Sequence, residues 1–214
     1  MDSRIIDDAL DYVRELFAGD CSGHDFFHTF RVYRTATVIA RREGADVETV
    51  QLAALLHDVD DEKLSPETHA GKERAVRFLR GHGVPQETIA EICGMIDDVS
   101  FAGTDTAVPA SLEGKCVQDA DRLDAMGAIG VARAFAYGGS RGRAMHDPAI
   151  PFREAMSGEE YRGSPSTTVN HFYEKLFRLR ALINTDTARA MAEERDAYMR
   201  AYIEEFLAEW EGVR

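Results

Sequence analysis

Apolar residues recur along most of this chain at the three- and four-residue spacing that is typical of amphipathic helices. The first such segment runs from Ile5 to Phe17 and ends near Gly19. The same spacing predicts later helices over about 26–43, 47–57, 69–80, 86–97, 111–136, 168–183 and 185–210. No segment shows the strict alternation expected of a β-strand. The pattern therefore predicts an all-α fold, a helical bundle.

The second and third predicted helices carry the features on which the rest of the argument depends. The second is expected to bury Phe27, Phe30, Val38 and Ile39. The third follows Asp46, which has the residue type of an N-cap. Its apolar run, Ala53-Ala54-Leu55-Leu56, leads directly into His57-Asp58. A histidine and an aspartate thus lie side by side at the end of a helix that is predicted to be buried.

One long segment departs from the helical pattern. Residues 138–167 contain a Gly138-Gly139 pair, three prolines and the basic residues Arg141, Arg143, His146, Arg153 and Arg162. A loop of this length in a compact domain is commonly a functional lid or a mobile segment. Both interpretations stay open. The chain is accordingly predicted to be a single helical domain (1–214), with a core over about 20–137, the loop 138–167 and C-terminal helices over 168–211.

Composition narrows the class of protein. The formal net charge is −13, which argues against non-specific nucleic-acid binding, because such binding depends on lysine and arginine neutralising phosphates. Cys21, Cys93 and Cys116 are widely spaced and form no CxxC pair, which favours a reducing compartment. No apolar run approaches the roughly 20 residues needed to cross a bilayer. A cytoplasmic protein without a membrane partner is expected.

Four side chains form a candidate metal site. His28 lies upstream of the His57-Asp58 pair, and Asp121 lies downstream of it on a later predicted helix. Divalent transition metals accept imidazole nitrogen and carboxylate oxygen together, so this set suits Mn, Co, Ni, Fe or Zn, with Mg entering with a phosphorylated substrate. Each residue alone is more often a hydrogen-bonded core residue or a surface carboxylate. The combination favours a metal site that hydrolyses phosphate esters.

The arrangement His28…His57-Asp58…Asp121 resembles that of the HD-domain superfamily of metal-dependent phosphohydrolases. The resemblance continues through the segments 23–28, 53–63, 118–130, 135–139 and 171–176. These segments look like a bacterial and archaeal subgroup of about 210 residues, some members of which are nucleoside-triphosphate pyrophosphohydrolases. The resemblance implies an HD-type helical bundle, with His28, His57, Asp58 and Asp121 as the metal ligands.

Further roles follow from the same resemblance. Asp61 is expected to orient or deprotonate the attacking water, and Lys63 to bind a phosphate, although both could instead belong to a solvated acidic loop. Asp119 is expected either to orient one of the ligand histidines or to lie on the helix surface. Six further residues are candidates for substrate binding: His24, Arg122, Arg141, Arg143, His171 and Lys175. Each could instead have a purely structural role, in a helix cap, in a salt bridge or on a solvated surface.

The expected reaction is hydrolysis of a nucleoside or deoxynucleoside triphosphate to the monophosphate and pyrophosphate. A nucleotide phosphomonoesterase, a phosphodiesterase and a catalytically silent metal-binding regulatory protein are the alternatives. The expected partner is a small phosphorylated molecule, a nucleotide. A monomer and a homodimer are both compatible with the sequence.

Overall fold

A computed structural model describes residues 4–19, 25–62, 65–99, 107–153 and 166–214. Within these ranges every regular element is helical, which confirms the all-α prediction. A 3₁₀ helix, Leu176–Leu182, lies between the last two α-helices. The α-helices in chain order are α1 Ile5–Leu16, α2 Phe26–Glu43, α3 Val47–Leu56, α4 Pro66–His69, α5 Glu73–Gly81, α6 Gln86–Val99, α7 Leu112–Asp124, α8 Gly127–Ser140, α9 Thr168–Glu174 and α10 Asp186–Trp210.

The first of two compact units comprises residues 1–101 and 105–121, and α3 is its central helix. This helix packs against α1, α2 and α6. The whole run from Leu52 to Leu56 is completely buried. The second half of α3, Leu52 to Leu56, is apolar all round instead of amphipathic, as expected where neighbours cover a helix on several sides. The helix that leads into His57-Asp58 is therefore held in the core of this unit.

Two side-chain caps determine where the helices of the site begin. The Asp25 carboxylate accepts a hydrogen bond from the backbone N–H of His28 (2.7 Å) at the start of α2. The Asp46 carboxylate accepts one from the N–H of Thr49 (2.8 Å), as predicted for the start of α3. A cap satisfies an amide that has no partner inside the helix. The cap on α2 also defines the first turn, on which His28 lies.

The second unit comprises residues 102–104 and 122–214 and contains α8, α9, the 3₁₀ helix and α10. Within it α10 packs along α8 and the 3₁₀ helix, and α9 contacts α8. Phe172 on α9 is fully buried and lies next to Phe135 of α8, with 6.0 Å between ring centroids. Across the described ranges, no helix combines the length and the apolar character needed to span a membrane. The single-domain interpretation stays a prediction.

Several sequence predictions about individual elements are wrong. Residues 111–136 do not form one helix, because the chain turns at Ala125 and Met126 between α7 and α8. The predicted helix over 168–183 is a short α-helix followed by the 3₁₀ helix. Phe27 and Val38, expected in the core, are 64% and 39% exposed. The predicted loop after His57-Asp58 contains the short helix α4.

The long segment before the C-terminal helices begins as helix, because α8 continues through Ser140. From there to residue 153 the chain forms turns and bends without a regular element. Its start is held by backbone hydrogen bonds from Thr168 to Ala144 (3.0 Å) and from Val169 to Met145 (2.9 Å). Arg162 lies outside the described residues. The described part of the loop is thus attached to the beginning of α9.

Candidate metal centre

His57 and Asp58 lie where α3 ends, and both side chains are buried. His57 follows the last helical residue as the C-cap of α3, and Asp58 occupies the turn behind it. Their exposed fractions are 7% and 6%. At a helix end two adjacent side chains can lean toward one point, whereas within a helix they would diverge by about 100°. His57 Nε2 and Asp58 Oδ2 are 3.3 Å apart.

His28 brings a second imidazole to the same place from α2. Its side chain is 3% exposed, and its Nε2 lies 3.4 Å from Asp58 Oδ2. The rings of His28 and His57 meet edge to face, with centroids 5.4 Å apart. One donor atom from each of His28, His57 and Asp58 falls within a group whose members all lie within 4.8 Å of one another. Three predicted ligands from two helices thus converge in the first unit.

Asp121, the fourth predicted ligand, approaches from α7 and belongs to the same unit. Its Oδ1 lies 3.4 Å from His28 Nε2, and the side chain is 27% exposed. Asp119, two residues earlier, is fully buried, which excludes its alternative position on the helix surface. The site therefore offers two imidazoles and two carboxylates, and the Asp121 side is the more accessible one.

The hydrogen bonds of His57 show how its ring is used. Nδ1 lies 2.8 Å from the Ala54 carbonyl oxygen, which can only accept, so Nδ1 carries a proton. In the neutral ring Nε2 then has a lone pair, and this buried nitrogen has no hydrogen-bond partner. A buried polar atom without a partner is costly, and a metal ion would satisfy it. The side chains present therefore fit a divalent cation.

The electrostatics of the site lead to the same conclusion. Burial disfavours the charged imidazolium and would lower the pKa of His57. The negative charges of Asp58 and Asp121 outweigh burial and raise the pKa of His57 above its ordinary value. A buried group of donors with two carboxylates attracts positive charge, and a divalent cation supplies it without a proton.

The acidic loop after the ligands has two different parts. Asp61, the predicted base, is half-buried, and its backbone N–H donates to the Asp58 carbonyl (3.1 Å). Asp60 is buried, and its carboxylate accepts from the N–H groups of Arg74 (3.2 Å) and Ala75 (3.0 Å) at the start of α5. Sequence reasoning missed this cap, because the capping residue lies more than a dozen positions before the helix.

The predicted substrate-binding residues fall into three groups. His24 and Lys63 lie outside the described residues. Arg122 is buried in the second unit, where its guanidinium donates to the Leu182 carbonyl oxygen. Arg141 is exposed beyond α8, with its guanidinium carbon 5.4 Å from the centroid of the Tyr137 ring. Their roles toward a substrate stay predictions.

The second unit also brings Arg143, His171 and Lys175 close enough to affect one another. Burial, followed by the positive charges of Lys175 and Arg143, lowers the pKa of His171 to about 3. The half-buried His171 is therefore neutral at ordinary pH. Arg143 and Lys175 thus form a local concentration of positive charge beside a neutral imidazole, in a chain whose net charge is −13.

The model of the family called HD domain matches residues 25–126 of this chain. YpgQ of Bacillus subtilis strain 168, an uncharacterized protein, is 35% identical over 204 residues, which cover 94% of this chain and 92% of YpgQ. A crystal structure of YpgQ in complex with ADP superposes with a TM-score of 0.77 at 34% identity, covering 98% of this chain and 100% of YpgQ.

Two further crystal structures are similar over nearly the whole length. A Lactobacillus plantarum protein is 42% identical, with a TM-score of 0.86 and 99% of each chain covered. An HD-superfamily hydrolase from Bacillus thuringiensis is 39% identical, with a TM-score of 0.80 and again 99% of each chain covered. The likeness thus extends from the metal-site helices through the second unit.

Proposed function

This chain belongs to the HD-domain superfamily and is a metal-dependent phosphohydrolase, and from that premise we propose that it acts on nucleotides. The reaction we propose converts a nucleoside or deoxynucleoside triphosphate to the monophosphate and pyrophosphate. The observation that carries the proposal is the buried, unpartnered Nε2 of His57 among the side chains of His28 and Asp58. This arrangement fits a metal better than it fits a closed hydrogen-bond network.

His28, His57, Asp58 and Asp121 would hold the metal. When bound there, a divalent ion supplies a Lewis acid and lowers the pKa of a coordinated water toward neutrality. The protein orients its own ligands through two contacts: Ala54 holds the His57 ring, and the Asp25 cap holds the turn that carries His28. The deep burial of both histidines keeps bulk water from competing for their nitrogens.

Asp61 is the proposed general base. It lies three residues after Asp58 in a turn closed by the hydrogen bond from its own N–H to the Asp58 carbonyl. The side chain is half-buried, so it keeps some contact with solvent. A carboxylate in such a position can accept a proton from a water or orient it for attack on phosphorus. Lys63, two residues later, is the proposed phosphate contact of the same loop.

A nucleotide is the proposed substrate for two reasons. YpgQ, a relative over the whole chain, was crystallised with ADP. In addition, Arg143 and Lys175 place positive charge beside the neutral His171 in an otherwise acidic protein, and positive charge of this kind suits a phosphate chain. Attack at the α-phosphorus of a triphosphate gives the monophosphate and pyrophosphate. Attack on a monophosphate ester would release orthophosphate.

The test is a substrate panel with product identification. The purified chain is stripped of metal, reloaded with Mn²⁺ or Co²⁺, and incubated with nucleoside and deoxynucleoside mono-, di- and triphosphates and with a nucleotide phosphodiester. Release of pyrophosphate with the monophosphate is the expected result. Orthophosphate as the sole phosphorus product would replace the proposal with a phosphomonoesterase, and turnover of a diester would indicate a phosphodiesterase. Stoichiometric metal binding without turnover would favour a regulatory protein.

A further inference from the structure

Lys72 combines an unusual backbone conformation with a buried side chain. Its φ of 48° and ψ of 41° lie in the left-handed region, and across the described ranges it is the single non-glycine residue with positive φ. Glycine is the residue that adopts this conformation without a steric penalty. Lys72 is nevertheless 6% exposed. A lysine at a position that favours glycine suggests that its ammonium group is needed there.

The Lys72 ammonium joins two helices of the first unit. Nζ lies 2.5 Å from Asp97 Oδ1 on α6 and donates to the His69 carbonyl oxygen (3.0 Å) at the end of α4. The first contact pairs the buried positive charge, and the second satisfies a carbonyl at a helix end. Lys72 therefore holds the end of α4 against α6.

His69 passes this restraint to the acidic loop. Its Nδ1 lies 2.8 Å from the Asp60 carbonyl oxygen, so Nδ1 carries a proton and donates. The Asp60 carboxylate is fixed separately, because it accepts the two N–H groups at the start of α5. Asp60 is thus held through its main chain and through its side chain, from residues 9 to 15 positions away.

The position of Asp60 gives these contacts a consequence for the metal centre. Asp60 lies between the ligand Asp58 and the proposed base Asp61, and its carbonyl belongs to the peptide group that leads into Asp61. The N–H of that same peptide group donates to the Asp58 carbonyl. Rotation of this one peptide group would therefore turn Asp61 and release the carbonyl of Asp58.

We propose that His69 and Lys72 are positioning residues, which hold the Asp60–Asp61 peptide so that Asp58 faces the metal and Asp61 faces the water. The part concerning Asp61 rests on the proposed function. Neither residue is within the ligand set. They act through hydrogen bonds that run from α6 through Lys72 and His69 to Asp60.

The first test compares His69→Phe with His69→Asn in the full-length chain. Phenylalanine keeps a planar ring without the donor, whereas the asparagine side-chain amide can place an N–H close to the position of Nδ1. His69→Phe should weaken Mn²⁺ binding about 10-fold and lower kcat by a similar or larger factor, with KM changed less than about threefold. His69→Asn should restore both quantities to within about threefold of the wild type.

Mn²⁺ binding is measured by titration without substrate, beside the thermal midpoint of each metal-free variant. If His69→Phe lowers the midpoint but leaves Mn²⁺ affinity and kcat at wild-type values, His69 is merely structural and the inference is overturned. The same holds if folded His69→Asn is as impaired as His69→Phe. Because Mn²⁺ affinity needs no turnover, this readout judges the inference even if the nucleotide panel fails.

The second test uses Lys72→Gly, which suits the left-handed backbone and removes the ammonium. This variant should fold and still bind Mn²⁺ several-fold more weakly, with a matching fall in kcat. Lys115→Met is the matched control, since it removes a positive charge from α7 in the same unit and should change neither quantity. Wild-type Mn²⁺ affinity and kcat in a folded Lys72→Gly would remove Lys72 from the positioning contacts.

Discussion

At the residue scale, His57 shows the difference between a metal-capable side chain and a metal site. The sequence places His57 beside Asp58 and predicts a buried helix before them. Only the structure shows that His57 Nδ1 donates a hydrogen bond to the Ala54 carbonyl oxygen. It also shows that Nε2 is buried without a hydrogen-bond partner. The fourth predicted ligand, Asp121, completes a group of two imidazoles and two carboxylates. Their convergence depends on how α2, α3 and α7 pack, and no local pattern encodes it.

Removal of one ligand should abolish metal retention. Asp58→Ala takes away a carboxylate oxygen that lies 3.3 and 3.4 Å from the two histidine nitrogens. We expect the metal to be lost on desalting and kcat/KM to fall by at least about 100-fold, with unchanged helical circular dichroism. Metal content by mass spectrometry and hydrolysis rates provide the measurement. Glu62→Ala, in the same loop but exposed, is the control, and an active Asp58→Ala protein would contradict the ligand assignment.

Replacement of the proposed base should affect the same assay differently from replacement of a metal ligand. Asp61→Asn preserves the size of the side chain and removes its ability to accept a proton. The expected loss in kcat is about 10² to 10⁴-fold, whereas bound metal stays stoichiometric. Steady-state kinetics with Mn²⁺, together with metal analysis, would check this. Full activity in Asp61→Asn would assign Asp61 to the solvated acidic loop instead.

At the scale of elements, the sequence predicted helices more reliably than it predicted their ends. Caps that lie within one turn of their helix, such as Asp46, can be predicted from local residue types. The break between α7 and α8 is not, because alanine and glycine at 125–136 are compatible with one long helix. In the structure Gly127 adopts a φ of 68°, and a Cβ on Gly130 would overlap the Ala125 carbonyl. The glycines thus belong to a tight turn and a close backbone approach.

A pair of glycine substitutions in α8 tests this explanation of the break. Gly130→Ala should destabilise the protein by about 1–3 kcal/mol, because its Cβ would meet backbone atoms of Ala125 that cannot move freely. Gly139→Ala lies in the same helix with open space around its Cβ, and it should be neutral or stabilising by up to about 1 kcal/mol. Urea unfolding of both variants gives the comparison. Equal stabilities would contradict the close approach.

At the scale of the whole molecule, the relevant features are the net charge and the division of the chain into two compact units. All four predicted ligands fall in the first unit, and the substrate-binding candidates Arg143, His171 and Lys175 fall in the second. The net charge of −13 is read directly from composition, and it argued against non-specific nucleic-acid binding. The grouping of the chain into two units could not be predicted from the sequence, because the apolar spacing of a helix is the same whichever helices pack together.

His171 gives the stability of the molecule a predictable dependence on pH. Its pKa falls to about 3 on folding, so below about 6.5 the unfolded chain binds a proton that the folded chain does not. Stability from this group is therefore complete above pH 6.5 and is lost as the pH falls toward 3. The loss should reach about 2 kcal/mol by pH 5.

The measurement for His171 is the free energy of unfolding from pH 7.5 to 5 in the wild type and in His171→Asn. The remaining titratable groups are the same in both proteins, so the difference between the two pH slopes isolates the contribution of His171. The wild type should lose more stability than His171→Asn over this range. Parallel slopes would show that the pKa of His171 is the same in the folded and the unfolded chain, which contradicts the lowered value.

The sequence by itself determined the all-α fold, most of its helices, the identity of the candidate ligands and the resemblance to HD-domain phosphohydrolases. These depend on residue types and on their order along the chain, which packing does not alter. Tertiary structure alone decided which nitrogen of His57 faces the ligands, that Asp60 caps α5, and that Phe27 is exposed. The Asp60 cap joins residues 15 positions apart, and the His57 ring, although it bonds the nearby Ala54, meets His28 only through the packing of α2 against α3.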